Sequence, residues 1–283
     1  MNVEQALVLG KNRLKKANMQ NYALEAELLL MHSISFTRIQ LYTKNNSMLT
    51  QAEEKAFFSA LQQREKGRPI QYILGSCEFM GLSFFVEEGV LIPRADTEIL
   101  VETVLEYGKK EGLKRGLDIC TGTGCIAISL AKYGRFLLCG IDVSDIALKT
   151  AIKNACQNHV FVTWIKSDLF EQIPQQWKRD LDMIVSNPPY IATDEIKNLM
   201  DEVKCFEPHL ALDGGENGTL FYKKIITEGK HYLKQGGRLF FEIGFDQAEA
   251  VTALLKENDF EDIQIRQDLA GLDRVVLAKK KCV

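Results

Sequence analysis

Residues Leu181 to Tyr190 form an apolar run that stops at Asn187-Pro188-Pro189-Tyr190, and this tetrapeptide has the makings of a reaction centre. The ring of Pro188 pushes Asn187 out of the α region into an extended conformation. Neither Pro188 nor Pro189 offers an N–H. The backbone therefore presents carbonyl oxygens with the Asn187 side-chain oxygen beside them, an acceptor cluster suited to gripping a planar NH2 group by its two hydrogens. Tyr190 adds an aromatic face on which a flat amide or base stacks. Asn-Pro turns also end ordinary strands, so the assignment depends on what stands opposite.

Three acidic residues stand at the ends of neighbouring apolar runs. The first run closes in Asp118-Ile119-Cys120-Thr121-Gly122-Thr123-Gly124, immediately before a helical pattern. Glycines there let the backbone turn tightly and approach a ligand at the carboxyl end of the strands. The spacing is not G-x-G-x-x-G, and Asp118 placed at the mouth would repel a pyrophosphate while suiting a cation. The second run ends at Asp142, about twenty residues on, where a carboxylate accepts both ribose hydroxyls. The third ends at Ser167-Asp168-Leu169, an acid and an apolar side chain where an adenine fits. Each alone is an ordinary strand-end residue or cap. Together they describe a positively charged nucleoside, S-adenosylmethionine, leaving S-adenosylhomocysteine as product.

The elements that position these residues are read from periodicity. The N-terminal part, Met1 to about Tyr72, is helical throughout, four or five helices, with a capping box at Thr50 and Glu53 and stops at Gly67 and Pro69. Between Ile70 and Arg94, short apolar runs broken by Gly75, Gly81 and Gly89 suggest a β-hairpin. Asp96 is the expected N-cap of a helix Thr97 to Tyr107. From Gly116 onward strands and helices alternate. The expected strands are Gly116 to Ile119, Phe136 to Ile141, Val160 to Ile165, Leu181 to Val185 and Arg238 to Ile243. The expected helices are Gly124 to Lys132, Ser144 to Ala155, Leu220 to Leu233 and Gln247 to Lys256. That order predicts an α/β fold with a parallel sheet covered on both faces. Two final strands, Asp262 to Arg266 and Arg274 to Ala278, make a terminal hairpin with one antiparallel strand.

At this point the residues resemble the HemK/PrmC family of release-factor glutamine N5-methyltransferases, which are class I S-adenosylmethionine-dependent methyltransferases. The resemblance rests on Asn187-Pro188-Pro189-Tyr190 and on Arg68-Pro69-Ile70-Gln71-Tyr72-Ile73-Leu74-Gly75. It extends to Leu91-Ile92-Pro93-Arg94, Asp96-Thr97-Glu98, Glu207-Pro208 and the run Asp268 to Val275. It implies a Rossmann-like, mostly parallel seven-stranded sheet with a terminal antiparallel hairpin, preceded by a small helical domain and a β-hairpin linker. The expected boundaries are 1–72 for the helical domain, 73–92 for the linker and 93–283 for the methyltransferase domain. It implies methylation of the glutamine in the Gly-Gly-Gln motif of peptide chain release factors. Carried over by position, Cys120 to Gly124, Asp142, Leu169 and Asn187 contact the cofactor, Asn187 to Tyr190 hold the glutamine, and Pro93-Arg94 lies nearby as a cover. Cys120 stands where the family's loop often has its first glycine, so a non-glycine residue is expected to require an ordinary φ there.

Composition bounds the alternatives. The chain has 283 residues, 46% hydrophobic, enough for one large domain or two. No window reaches the roughly 20 apolar residues of a membrane helix, and Met1 to Arg13 has no secretory h-region, so a cytoplasmic protein is expected. A net charge of −3 and a pI near 5.9 argue against binding nucleic acid through bulk electrostatics. The seven cysteines show no C-x-x-C and no histidine at ligand spacing, so no metal is expected and the thiols read as small apolar core residues plus a free tail thiol. His32, His159, His209 and His231 lack triad spacing; only His209, after Glu207-Pro208, stands near a motif. Three rivals remain: the same chemistry on a ribosomal-protein glutamine or a nucleic-acid exocyclic amine, a Rossmann oxidoreductase, and a non-enzymatic binding module.

Overall fold

The computed structural model describes residues 1–282, and the chain divides into two compact units. The first comprises Met1–Ser76 and Met200–Phe206, the second Cys77–Leu199 with Glu207 onward. In the first unit, helices α1 (Val3–Lys16), α2 (Tyr22–Ile34), α3 (Arg38–Thr43), α4 (Gln51–Glu65) and α5 (Ile70–Leu74) surround a core that includes Leu14, Leu29, Leu30, Phe57 and Leu61. Three of them start in capping boxes, Asn2 with Gln5, Thr37 with Gln40 and Thr50 with Glu53. Each such box satisfies two otherwise orphaned N–H donors. Arg64, buried on α4, donates to both oxygens of Glu25 at 2.8 and 3.1 Å and to Glu202 at 3.1 Å.

The segment expected to be hairpin from Ile70 is helical first. Ile70–Leu74 is α5, ended by Gly75 at φ 70°. Strands β1 (Ser76–Phe79) and β2 (Leu82–Phe85) follow. Met80 and Gly81 both have positive φ, the mark of a two-residue turn matched to strand twist. Asn154 pins the hairpin by accepting from Phe85 N at 2.7 Å and donating to Phe85 O at 3.0 Å.

The second unit is built on α6 (Asp96–Glu111), β3 (Arg115–Ile119), α7 (Cys125–Gly134), β4 (Leu137–Asp142), α8 (Asp145–Gln157), β5 (Thr163–Lys166), β6 (Leu181–Ser186), α10 (Leu220–Gly229), β7 (Leu233–Glu242), α11 (Ala248–Glu257), β8 (Phe260–Gln267) and β9 (Asp273–Lys280). The short α9 (Asp201–Lys204) belongs to the first unit. The sheet order is β5-β4-β3-β6-β7-β9-β8, parallel from β5 to β7, with β9 antiparallel to both neighbours. This is the mostly parallel seven-stranded sheet with a terminal antiparallel hairpin that the sequence predicts. Cores on its two faces hold Leu117, Ile119 and Ile184 on one side and Met183, Val185 and Phe240 on the other.

Several element boundaries differ from expectation by a few residues, and two have local reasons. Asp96 is the first helical residue rather than the cap; Ala95 precedes it with no side-chain cap, and Asp96 pairs with Arg274 at 3.3 Å. Leu233 opens β7 instead of closing α10, because the helix ends at Gly229 and Lys230. Among the described residues no helix is long and apolar enough to cross a membrane.

Candidate active site

The strand order reverses between β3 and β6, the switch point where open α/β sheets bind ligands beyond their carboxyl ends. Ile119 pairs with Ser186, and Ser186 Oγ donates to Ile119 O at 2.6 Å. The next residue on each strand is Cys120 and Asn187, so register alone sets the glycine-containing loop beside the Asn-Pro-Pro-Tyr turn. Beyond these strand ends lies a cavity lined by Cys120, Thr121, Gly122, Thr123, Asp142, Asp168, Leu169, Asn187 and Pro189, with Thr97 and Arg94 at its edge.

Asp142 sits at the tip of β4. Its Oδ2 accepts from Gly122 N and its Oδ1 from Ser144 N, both at 2.9 Å. Each oxygen keeps a lone pair for a ligand hydroxyl. Burial, against those hydrogen bonds, raises its pKa. Among the described residues Arg94 is the one cationic side chain lining the cavity, and it donates to the buried Glu207. A cavity with two carboxylates and its only guanidinium already paired favours a cation over a pyrophosphate.

Asp118 is not at the mouth. It is 0% exposed beneath the loop, where its Oδ2 accepts from Thr121 Oγ1 at 2.5 Å and Ala127 N at 3.2 Å while Oδ1 has no partner. Side chains alternate along β3, and the strand turns Asp118 inward under α7. Burial pushes its carboxyl up to about 7. A raised folded value makes the ionised form costly, so stability is full below the unfolded value near 3.8, is lost as pH rises to about 7, and is flat above. Asp118→Asn keeps the acceptor and removes the charge. Thermal denaturation should therefore show the variant gaining on wild type as pH is raised from about 5 to about 7.5; a constant difference would refute the assignment.

Cys120 departs from expectation as well. Its φ is 60°, the left-handed region that costs an L-residue about 1–2 kcal/mol. The loop geometry thus demands what glycine gives freely, and the half-buried cysteine tolerates it by packing against the core. Cys120→Gly should fold within about 1 kcal/mol of wild type, whereas β-branched Cys120→Val should cost about 2 kcal/mol or more; equal denaturation midpoints would contradict this. Gly124, at φ 80°, opens α7 without itself lining the cavity. Leu169 also holds a left-handed φ of 49°, its carbonyl accepting from Ser167 Oγ at 2.8 Å.

Asn187 is half-buried, and its Nδ2 donates to Thr97 Oγ1 at 3.2 Å. Pro188 is buried and does not line the cavity, whereas Pro189 does. The half-buried Tyr190 directs its hydroxyl to Glu242 Oε1 at 3.4 Å, and its carbonyl accepts from Gln247 Nε2 at 2.8 Å. Gly218, at φ 67°, passes so close that an added Cβ would collide with Tyr190 O. His209 is exposed in a short turn and does not line the cavity, although Pro208 and Leu210 do. Thr97, Glu242 and Gln247 escaped the sequence reading. A carboxylate ending the apolar run Leu239 to Phe241 carries the same signal as Asp118 and Asp142, so Glu242 was findable.

The cysteines are all free. Cys125 and Cys139 are buried, Cys139 pushed up to about 12 by burial, but Cys156 and Cys205 are exposed along with Cys282 rather than core residues. Cys156 lies on the outward face of α8, and Cys205 follows the short α9 as its C-cap. Among the described residues no three His, Cys, Asp or Glu side chains gather as metal ligands.

Comparison with known proteins adds the decisive observation. Residues 5–75 match the PrmC N-terminal domain and residues 94–205 the methyltransferase small domain. A release factor glutamine methyltransferase of Clostridium acetobutylicum is 42% identical over 98% of this chain and 98% of its own. The chain belongs to the release factor glutamine methyltransferase family. A second family member, from Thermodesulfovibrio yellowstonii, is 41% identical over 90% of this chain and 92% of its own. A methyltransferase structure from Pyrococcus furiosus shares the fold, with a TM-score of 0.54 at 16% identity, covering 72% of this chain and 91% of that one. The enzymatic class of that family is methyltransferase.

Proposed function

We propose that the chain methylates the side-chain nitrogen N5 of the glutamine in the Gly-Gly-Gln motif of peptide chain release factors, in the cytoplasm, with S-adenosylmethionine as donor. The observation that carries this is the register of β3 with β6, which sets Asn187 against a cavity whose two carboxylates and paired guanidinium suit a sulfonium. The relatives named for release factor glutamine methylation supply the acceptor.

In this reading Asp142 would receive the ribose hydroxyls on its remaining lone pairs, Asp168 and Leu169 would hold the adenine, and Cys120 to Thr123 would hold the methionine moiety. Asp118 acts from below by holding Thr121 and the start of α7. Bound S-adenosylmethionine supplies an electrophilic methyl group on a positively charged sulfur. An amide nitrogen is a weak nucleophile because its lone pair is delocalised into the carbonyl. Asn187 Oδ1 and the Pro188 carbonyl accept its two N–H groups, hold the nitrogen in line, and stabilise the positive charge that develops there. Tyr190 packs against the plane of the amide. The S–C bond breaks as the N–C bond forms, S-adenosylhomocysteine leaves neutral, and the cationic N-methylated amide, a strong acid, gives one N–H proton to water; positioning and electrostatics carry the rate, and no strong base is required.

A transfer assay with labelled S-adenosylmethionine tests the reading against its rivals. Label should appear on a purified release factor and not on ribosomal proteins, transfer RNA or DNA. Label on a nucleic acid or ribosomal protein instead would overturn the substrate assignment, and tighter binding of NAD than of S-adenosylmethionine would overturn the class.

A further inference from the structure

The Asn187 carboxamide can face the cavity with its oxygen or its NH2, and the two orientations have almost the same shape. Only the oxygen serves a substrate NH2 group. Its contact with Thr97 does not decide the matter alone, because a hydroxyl both donates and accepts. The decision lies one residue further back. Glu242, at the end of β7, is 1% exposed. The Thr97 hydroxyl faces its carboxyl group, and the Tyr190 hydroxyl lies 3.4 Å from its Oε1. A carboxylate only accepts. A Thr97 hydroxyl turned to that carboxylate has only lone pairs left for Asn187, and the Asn187 atom that faces it, at 3.2 Å, is Nδ2, which leaves Oδ1 for the cavity.

We propose that Glu242 is a positioning residue for methyl transfer, acting through Thr97 to fix the orientation of the Asn187 amide and directly to fix the ring of Tyr190. Neither Thr97 nor Glu242 belongs to the Asn-Pro-Pro-Tyr turn, and neither carries the reacting atoms. The inference rests on the reading of that turn as the holder of a substrate amide.

Three observations support the assignment. First, among the described residues Glu242 forms no ion pair within 4 Å, unlike buried Arg64 or Arg238, and its Oε2 takes no hydrogen bond from any other group, which leaves it open to the Thr97 hydroxyl. Under-satisfied buried groups call for an explanation, and a role in setting the orientation of a neighbour supplies one here. Second, the corner after β7 is braced as a unit. Tyr222 on α10 donates its hydroxyl to Glu242 O at 2.9 Å, Gln247 Oε1 accepts from Gly244 N at 3.0 Å, and Gln247 Nε2 grips the Tyr190 carbonyl. Glu242 thus stands on a rigid frame, as a residue that sets another's orientation must. Third, burial and the nearby Asp96 push its carboxyl up to about 7 against the pull of Thr97, Tyr190 and Arg274. Below that pH Glu242 gains a proton and can donate to Thr97, which frees Asn187 to flip.

Glu242→Gln tests this with little change of shape. Its single-turnover rate should fall about ten- to hundred-fold, with S-adenosylmethionine affinity within about two-fold of wild type. The wild-type rate should rise with pH through about 7, and this limb should be absent from the variant. Thr97→Val should lose as much as Glu242→Gln, Thr97→Ser should restore most of the loss, and the double variant Glu242→Gln/Thr97→Val should be no worse than either. Wild-type turnover in Glu242→Gln, or Thr97→Val and Thr97→Ser behaving alike, would overturn the proposal. The Asn187 side-chain NH2 resonance gives a readout independent of substrate. It should be protected from hydrogen exchange in wild type and exposed in Glu242→Gln, and equal protection would overturn the proposal. If instead wild type transfers no methyl to glutamine while the resonance behaves as expected, the functional reading fails and the positioning relay stands.

Discussion

Asn187→Ala is expected to lose methyl transfer by about 10³-fold or more, since removing one preorganised hydrogen-bond partner from a developing charge costs about 10²–10³ in rate and the substrate nitrogen also loses its orientation. The Asn187 oxygen is the one side-chain amide oxygen of the turn, the Tyr190 hydroxyl is directed to Glu242, and Pro188 cannot compensate because its carbonyl engages only one of the two N–H bonds. Cofactor affinity should fall modestly and stay measurable, because Asp142, Asp168 and Leu169 line the cavity independently of Asn187. The fold should survive. Asn187 is half-buried, its side chain holds a single contact to Thr97, and β6 is secured by Ser186 and by pairing on both edges. Single-turnover transfer to a release factor reads this directly, and near wild-type activity would remove Asn187 from the reaction.

The second large effect concerns Asp142. Asp142→Ala should weaken S-adenosylmethionine binding by about 1–3 kcal/mol, the worth of hydrogen bonds to a charged group. Two effects combine in that figure. The ribose hydroxyls lose their acceptor, and Gly122 N and Ser144 N, now unpaired, no longer hold the loop. Asp142→Asn separates them, since one carboxamide oxygen still accepts from one backbone N–H; it should bind more tightly than the alanine variant. Calorimetry showing unchanged affinity in Asp142→Ala would place the nucleoside elsewhere.

Much of this site is legible in the sequence, for a simple reason. In a parallel sheet, chemistry collects at the carboxyl ends of strands, and those ends are visible as apolar runs that stop at a polar residue. Asp142, Asp168 and Asn187 were found that way, and all three line one cavity. The same rule misplaced Asp118, because it stands one residue before the end of β3 and alternation along the strand sends it under α7 instead of into solvent. Backbone conformation was the least readable layer. Nothing about the residue type of Cys120 or Leu169 announces a left-handed φ; surrounding contacts impose it.

Longer-range features failed for a different reason. Residues Met200–Phe206 belong with the helical unit through partners such as Arg64, a contact 138 residues apart in sequence. The brace formed by Tyr222, Glu242 and Gln247 likewise joins α10, β7 and the start of α11 around Tyr190. Periodicity is silent on such meetings. The composition of each segment was ordinary, and only the assembled corner shows why a glutamate ends an otherwise apolar strand.

The central claim is that this chain places a methyl group on one nitrogen of one glutamine. Incubation of the wild-type chain with labelled S-adenosylmethionine and a purified release factor, followed by peptide mapping by mass spectrometry, tests it most directly. A single methyl group on the side-chain nitrogen of the Gly-Gly-Gln glutamine, absent when Asn187→Ala replaces wild type, is the predicted result. Methylation at any other residue, or an unmodified release factor alongside efficient methylation of another macromolecule, would contradict it.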